Sequence, residues 1–222
     1  MTGAGPGESR RIGRYRLGEV IGVGSFATVY VATDERLDAT VVLKVLAENH
    51  SLNPDVRERF IAEGRSLRRI RSPHVVTVHD IGESDRQQPY RVLEHADRGT
   101  LAQRVAALRA SGWTASPAEV LTLACALAQA LDAVHAAQIV HRDLSPSNVL
   151  CTSVPGEGDA LGVADDRVAV GAGVLIASDE RLLLADLGMC KDLALNSGLT
   201  VAGGTAGFRP PEMDAGPAVI GT

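Results

Sequence analysis

Two charges stand where the hydrophobic pattern calls for apolar residues, and they constrain the fold more than any other feature. Lys44 lies inside the run Val41-Val42-Leu43-Lys44-Val45-Leu46. Side chains of a strand alternate between its faces, so Lys44 shares a face with Val42 and Leu46. Glu63 lies in a second segment, where Val56, Phe60, Leu67 and Ile70 recur at helical spacing, and it falls inside that apolar stripe. Burying either charge alone is unfavourable, and losing one partner of a buried pair typically costs about 3–5 kcal/mol. The simplest solution is a fold in which strand and helix face each other and Lys44 meets Glu63.

The rest of the chain supplies a frame for that pair. From Tyr15 to Leu46 short β-rich runs alternate with glycine, and Val29 and Val31 alternate with polar neighbours. Asn53-Pro54-Asp55 predicts a helix start, with Asn as N-cap and Pro in the first turn, and the helix runs to about Arg71. Gly64 follows Glu63 directly, and a mid-helix glycine costs roughly 1 kcal/mol relative to alanine, so this helix is expected to depend on packing and to be mobile. Val75 to Asp80 and Tyr90 to Glu94 are expected strands, and Asp97 to Thr100 a linker. Beyond it Ser116-Pro117-Ala118-Glu119 is a capping box opening a long helix, with Val120, Ala124, Leu127, Leu131 and Val134 on one face. Ile139-Val140 is expected as a short strand. A strand-rich half thus precedes a helix-rich half, which is an α+β chain of two lobes with a boundary near residue 97 and a tail over residues 1–14.

Composition narrows the function classes. Hydrophobic residues make up 45% of the 222, which predicts packed cores, and the net charge of -5 gives no bulk attraction to nucleic acid. The six histidines show no zinc spacing. Cys125, Cys151 and Cys190 are odd in number and far apart, which predicts free thiols and a reducing, cytoplasmic setting. No apolar leader opens the chain, and Val120 to Leu131 is too short to span a bilayer, so it is expected as a buried helix with any anchor lying outside these residues.

Chemistry is concentrated in a few motifs. His141-Arg142-Asp143-Leu144-Ser145-Pro146-Ser147-Asn148 matches H-R-D-L-x-x-x-N at every specified position. Asp143 can accept the proton of a hydroxyl, and Asn148 lies one short loop further on, where it can hold a magnesium ion. Gly22-Val23-Gly24-Ser25-Phe26-Ala27-Thr28-Val29 is a glycine-rich turn ahead of Lys44, and Leu182-Leu183-Leu184 is an apolar strand delivering Asp186 of Asp186-Leu187-Gly188. Gly204-Thr205-Ala206-Gly207-Phe208-Arg209-Pro210-Pro211-Glu212 completes the set.

Together these residues resemble the Hanks-type protein kinases, particularly the bacterial serine/threonine branch, from about Tyr15 to Glu212. The resemblance implies a β-rich ATP-binding lobe over 15–97 and a mainly helical, C-terminally incomplete lobe over 98–222. It implies ATP and Mg²⁺ as cofactors and protein Ser/Thr hydroxyls as acceptors. Gly22, Val23, Gly24, Val29 and Val42 would cover the nucleotide, and Lys44, held by Glu63, would take its α- and β-phosphates. Leu93 would be the gatekeeper, and Glu94 to Ala96 the hinge. Asp143 would orient the hydroxyl, while Asn148 and Asp186 would hold magnesium. Arg142 would pair with a phosphate on the activation segment, for which Ser197, Thr200 and Thr205 are candidates, and autophosphorylation would involve self-association.

Four departures qualify the resemblance. Ser145 stands where the serine/threonine branch carries a lysine that neutralises the transferred phosphoryl group. Ala27 replaces the third glycine of the loop. Val149-Leu150-Cys151 follows the catalytic loop as a strand, yet Val174-Leu175-Ile176 also promises a hairpin with Leu182 to Ala185, which makes residues 152–173 an insertion rich in Gly and Asp. Helices that the family carries beyond Glu212 are not among the 222 residues, so the catalytic domain is expected to be truncated with apolar surface open on its larger lobe. Ser145, Ala27 and the missing helices favour one alternative, an ATP-binding pseudokinase with a regulatory role; a third reading is a small-molecule phosphotransferase on a related fold. Arg142 and the 204–212 segment argue against the latter.

Overall fold

The β-branched and aromatic runs of the first half form one antiparallel sheet. Its strands are β1 (Arg11–Ile12), β2 (Tyr15–Val23), β3 (Ala27–Asp34), β4 (Ala39–Leu46), β5 (Val78–Glu83) and β6 (Pro89–Glu94), in the spatial order β1-β2-β3-β4-β6-β5. Helices α1 (Glu48–Ser51) and α2 (Pro54–Leu67) join β4 to β5. The computed structural model describes residues 10–154, 173–186, 205, 207 and 208. Two compact units result, one from the chain up to Arg69 with Thr77–His95, the other from Ile70–Val76 with the chain from Ala96 onward. The expected Val75–Asp80 strand is displaced: β5 begins at Val78, and Val75 instead bridges Leu184 in the second unit.

Alternation gives the sheet two chemically different faces. Tyr15, Ala32, Val41, Leu43, Val45, Tyr90 and Val92 form a buried cluster on one face, with Tyr15 and Tyr90 edge-on at 5.9 Å. Val42, Lys44 and Leu46 point to the other, and there α2 packs against β5 and β6. The α2 start is as the sequence predicts: Asn53 Oδ1 accepts from the Asp55 and Val56 amides at 3.0 and 3.3 Å. Val56, Phe60, Glu63, Gly64 and Leu67 are its buried residues, so Glu63 does lie within the apolar stripe.

The structure gives Gly64 a packing reason, in line with the expected dependence of this helix on packing. A Cβ at this position would lie 2.9 Å from both Arg91 Cδ and Ile81 Cδ1. The helix needs a glycine there to approach β5 and β6, and the propensity lost is offset by that close contact.

The second unit contains helices α3 (Leu101–Ala110) and α4 (Pro117–Ala136), then strands β7 (Val149–Ser153) and β8 (Glu180–Leu184), which pair antiparallel. Both helices open on complete capping boxes, Thr100 with Gln103 and Ser116 with Glu119. Ile139-Val140 is not the expected strand. Gln138 takes a left-handed φ of 58°, its amide bonds to His135 O at 2.8 Å, and the Ile139 amide bonds to Val134 O at 3.2 Å. That is a Schellman cap, so these residues close α4.

Helix α4 is less buried than expected. Among its residues only Ala130 and Val134 are buried, while Val120 and Leu121 are 52% and 64% exposed. With 20 residues and a mean hydropathy of 1.3 it is long and apolar enough to cross a membrane, a property that apolar helices of globular cores share.

A third correction concerns the hairpin. Residues Val174–Ile176 form no strand; β7 itself pairs with β8, from Val149↔Leu184 to Ser153↔Glu180, and the Val154 amide extends the ladder to Asp179 O. Leu175 is apolar because it is a buried plug, not because it is a strand residue. Its amide donates to Glu119 Oε1 at 2.9 Å. The expected insertion therefore narrows at its near end, since Thr152 and Ser153 belong to β7, and residues 155–172 lie outside the described residues. Cys125 and Cys151 are free thiols, and Cys190 lies outside the described residues.

Candidate active site

In the first unit the predicted nucleotide-side residues fall on two cross-strand rows of one sheet face. Gly22 pairs with Val29, Val29 with Lys44, and Lys44 with Arg91. Beside that row Val31 pairs with Val42, and Val42 with Leu93. Residues directly opposite in neighbouring strands share a face. The register therefore brings the glycine-rich turn, Lys44 and the predicted gatekeeper together on the face that α2 covers. Glu94 pairs with Val41 and exchanges backbone and side-chain contacts with Thr77. Ala96 follows β6 and belongs to the second unit.

The turn between β2 and β3 is closed by the Gly24 amide on Ala27 O at 2.9 Å. Ala27, the departure from the glycine pattern, is buried as the first residue of β3 opposite Leu46, a position that benefits from a side chain. The tip of the turn is tied to α1: His50 Nε2 lies 3.1 Å from Ser25 O, and the rings of His50 and Phe26 are 4.6 Å apart.

Glu63 has a partner that sequence reasoning missed. Its carboxylate takes Arg91 Nη1 at 2.9 Å and Nη2 at 3.1 Å, with the two side chains 1% and 2% exposed. The signal was present, since Arg91 interrupts the apolar run Tyr90-Arg91-Val92-Leu93 as Lys44 interrupts its own.

The second unit holds the predicted catalytic loop. His141 is buried, its Nε2 lies 3.1 Å from Ala185 O, and its Nδ1 accepts the Asp143 amide at 3.3 Å. These two contacts define a neutral imidazole protonated on Nε2. Burial pushes its pKa below the usual histidine value, outweighing the Ala185 hydrogen bond and the nearby Asp143 and Asp186 charges.

Asp143 is itself buried, and each of its carboxylate oxygens has a donor. Asn148 Nδ2 donates to Oδ2 at 2.9 Å and to the Asp143 carbonyl at 2.7 Å. The Thr205 amide and hydroxyl donate to Oδ1 at 2.7 and 2.9 Å. Ser145 Oγ lies 3.2 Å from Thr205 Oγ1 and 3.0 Å from Ser147 Oγ. Thr205 is thus a contact of Asp143, a role beyond the candidate phosphosite read from sequence. Ser197 and Thr200 lie outside the described residues.

The β7–β8 ladder decides where the two predicted magnesium ligands stand. Asn148 immediately precedes β7, Asp186 follows β8, and the Ala185 amide bonds to Asn148 O at 2.8 Å. Strand pairing thus brings Asn148 beside the segment that carries Asp186. Arg142 and Asp186 bracket this region with left-handed φ angles of 61° and 55°. Such conformations cost roughly 1–3 kcal/mol and persist where surrounding contacts hold them. With the amide nitrogen of Asn148 committed to Asp143, its oxygen is the atom left for a cation.

A clamp of charges, also missed in the sequence, secures the root of this hairpin. Buried Arg104 pairs with both oxygens of Glu180, through Nη2 at 2.7 Å and through Nη1. Arg98 adds a 3.1 Å contact to Glu180 and a 2.7 Å contact to Asp179. Burial opposes the charge on Glu180, but Arg104, the Ala177 amide and Arg98 hold its pKa below the ordinary value. Asp97 grips the opposite strand, accepting from Thr152 Oγ1, Ser153 N and Ser153 Oγ at 2.7–2.9 Å.

Known proteins are similar to this chain in sequence and fold. The family described as protein kinase domain matches residues 15–216. A probable serine/threonine-protein kinase of Streptomyces coelicolor, SCO3848, is 39% identical over 149 residues, covering 65% of this chain and 22% of that protein. Serine/threonine-protein kinase PknE of Mycobacterium bovis is 35% identical over 148 residues, covering 66% of this chain and 25% of PknE. The chain spans about a quarter of the length of these curated relatives. The crystal structure of the PknI kinase domain of Mycobacterium tuberculosis matches with a TM-score of 0.60 at 25% identity, over 89% of this chain and 71% of that one. A family match over most of the chain, and a two-lobed fold whose catalytic loop carries His141, Asp143 and Asn148 in contact, show that this chain belongs to the protein kinase family.

Proposed function

We propose that this chain transfers the γ-phosphate of ATP to Ser or Thr hydroxyls of protein substrates. The observation that carries the reading is the buried Asp143, oriented through Asn148 and Thr205 on a loop that neutral His141 fastens to Ala185. Asp143 accepts the hydrogen bond of the incoming hydroxyl and takes its proton as the phosphoryl group is transferred. Lys44 binds the α- and β-phosphates, with Glu63 holding the helix side of the site. Gly22, Val23, Gly24, Val29 and Val42 cover the nucleotide, and Leu93, Glu94 and Ala96 border the adenine. Catalysis comes chiefly from positioning and charge neutralisation.

The donor set fits magnesium. Asn148 offers an amide oxygen and Asp186 a carboxylate, and Mg²⁺ is a hard cation usually held by one or two carboxylates together with substrate phosphates. When bound, Mg²⁺ neutralises the charge that develops on the phosphates. Free Cys125 and Cys151 support a reducing, cytoplasmic setting.

One observation favours a catalytically weak, ATP-binding pseudokinase: Ser145 supplies no cation beside Asp143, and its hydroxyl is spent on Thr205 and Ser147. Autophosphorylation with labelled ATP decides between the readings. Loss of a general base costs about 10²–10⁴ in rate, so Asp143→Asn should lower incorporation by that factor while ATP-analogue binding persists. No incorporation by the unaltered chain despite nucleotide binding would select the pseudokinase, and equal incorporation by both proteins would remove Asp143 from its role.

A further inference from the structure

Arg91 is a buried arginine that the proposed reaction does not by itself require. It sits in β6 between two neighbours, opposite Lys44 on β4 and opposite Ile81 on β5, so its backbone is held from both sides of the sheet. Its guanidinium engages both oxygens of Glu63 at 2.9 and 3.1 Å. A two-pronged arginine–carboxylate pair fixes orientation as well as distance. Arg91 Cζ also lies 4.1 Å from the centroid of the Phe60 ring, one helical turn before Glu63. Gly64 completes the seat, because any larger residue would collide with the stem of Arg91. Three successive positions on the inner face of α2, Phe60, Glu63 and Gly64, are therefore shaped around one side chain of the sheet.

We propose that Arg91 is a positioning residue for phosphoryl transfer. Its guanidinium fixes Glu63, and α2 with it, against the sheet independently of nucleotide, so that the carboxylate is in place to meet Lys44 before ATP arrives. The catalytic part of this proposal rests on the kinase reading; the clamp itself does not. A lysine offers a single flexible ammonium, whereas Arg91 is preorganised by its strand and by Phe60 and loses less freedom on pairing. Arg91 thus takes hold of Glu63 from the position directly opposite Lys44 in the cross-strand row.

Hydrogen exchange of α2 in the full 222-residue chain tests the clamp, with and without Mg-ADP as the probe. Amide protection across residues 54–67 should be unchanged by nucleotide and by Lys44→Ala, and should fall by about tenfold or more in Arg91→Met. Arg91→Lys should restore part of it. At a temperature where circular dichroism shows the variants folded, Arg91→Met should weaken binding of a fluorescent ATP analogue about tenfold, with Arg91→Lys intermediate. Protection that rises with nucleotide and collapses in Lys44→Ala, but not in Arg91→Met, would assign the hold to Lys44 and overturn the proposal. So would an Arg91→Met chain with a lowered Tm but unchanged nucleotide affinity, because Arg91 would then be structural only. Should Arg91→Met fail to fold, exchange of the unaltered chain with and without nucleotide still decides. Absence of nucleotide binding by the unaltered chain would overturn the kinase reading and the catalytic half of this proposal, while exchange in Arg91→Met would still decide the clamp.

Discussion

Ser145 is a buried, uncharged neighbour of Asp143 in the loop. Its buried hydroxyl keeps the hydrogen-bond link to Thr205 but brings no cation to the transferred phosphoryl group. Removing one donor that stabilises a transition state costs about 10²–10³ in rate, so Ser145→Lys should raise kcat at least about tenfold in a transfer assay; an unchanged kcat would show that another cation already serves there. His141 makes a different prediction, through pH. Its folded pKa is depressed below 6.5, so beneath that value the unfolded chain binds more protons than the folded one. Stability should therefore be fully present above pH 6.5 and decline as pH falls below it. Urea midpoints at pH 7.5 and 5.5 check the sign, and His141→Asn should flatten the difference. At this scale the loop that brings candidate site residues together was legible, because Asp143, Asn148 and His141 follow one another within a short stretch. Contacts made across the chain, Thr205 on Asp143 and Arg91 on Glu63, were not, because local spacing carries no information on distant partners.

At the scale of elements, the starts of α2 and α4 were legible, whereas α3, whose N-cap Thr100 was read as part of a linker, and the helix ends were not. Asn53 and Ser116 announce their helices because an N-cap acts on amides two and three residues away. The α4 end escaped reading because Gln138 adopts a conformation usually given to glycine. Glu119 illustrates how a cap joins elements: the Ser116 amide, the Leu175 amide and the Ser116 hydroxyl hold its pKa down to about 2. The β7–β8 hairpin depends on Glu180, whose removal would leave Arg104 buried and unpaired. Glu180→Ala should destabilise the second unit by about 3–5 kcal/mol in urea denaturation, with Glu180→Gln intermediate; a change below about 1 kcal/mol would mean that the ion pair contributes little net stability. The segment Val174–Ile176 was misread for a physical reason. A buried apolar loop residue and a strand residue have the same composition, and only the neighbours, here Glu119 and β7, tell them apart.

For the whole molecule, a ligand that binds only the folded state stabilises it by mass action. Mg-ATP at about 100 times its Kd should add about 2.7 kcal/mol, seen as a rise in Tm, and chelating the metal should remove most of that rise if Asn148 and Asp186 hold it. A rise unaffected by chelation would dissociate nucleotide binding from those two residues. The sequence by itself determined the α+β fold class, the two-lobed kinase fold, the caps of α2 and α4 and the His141–Asn148 motif. Each of these rests on interactions within a few residues or on a periodicity that the chain displays directly. Only the tertiary structure decided that Glu63 is gripped by Arg91, that Gly64 is required by that grip, and that strand pairing brings Asn148 beside the Asp186 segment. These depend on which strands become neighbours and in what register. Many pairings satisfy the same hydrophobic pattern, so the choice is made by packing of the whole sheet against α2.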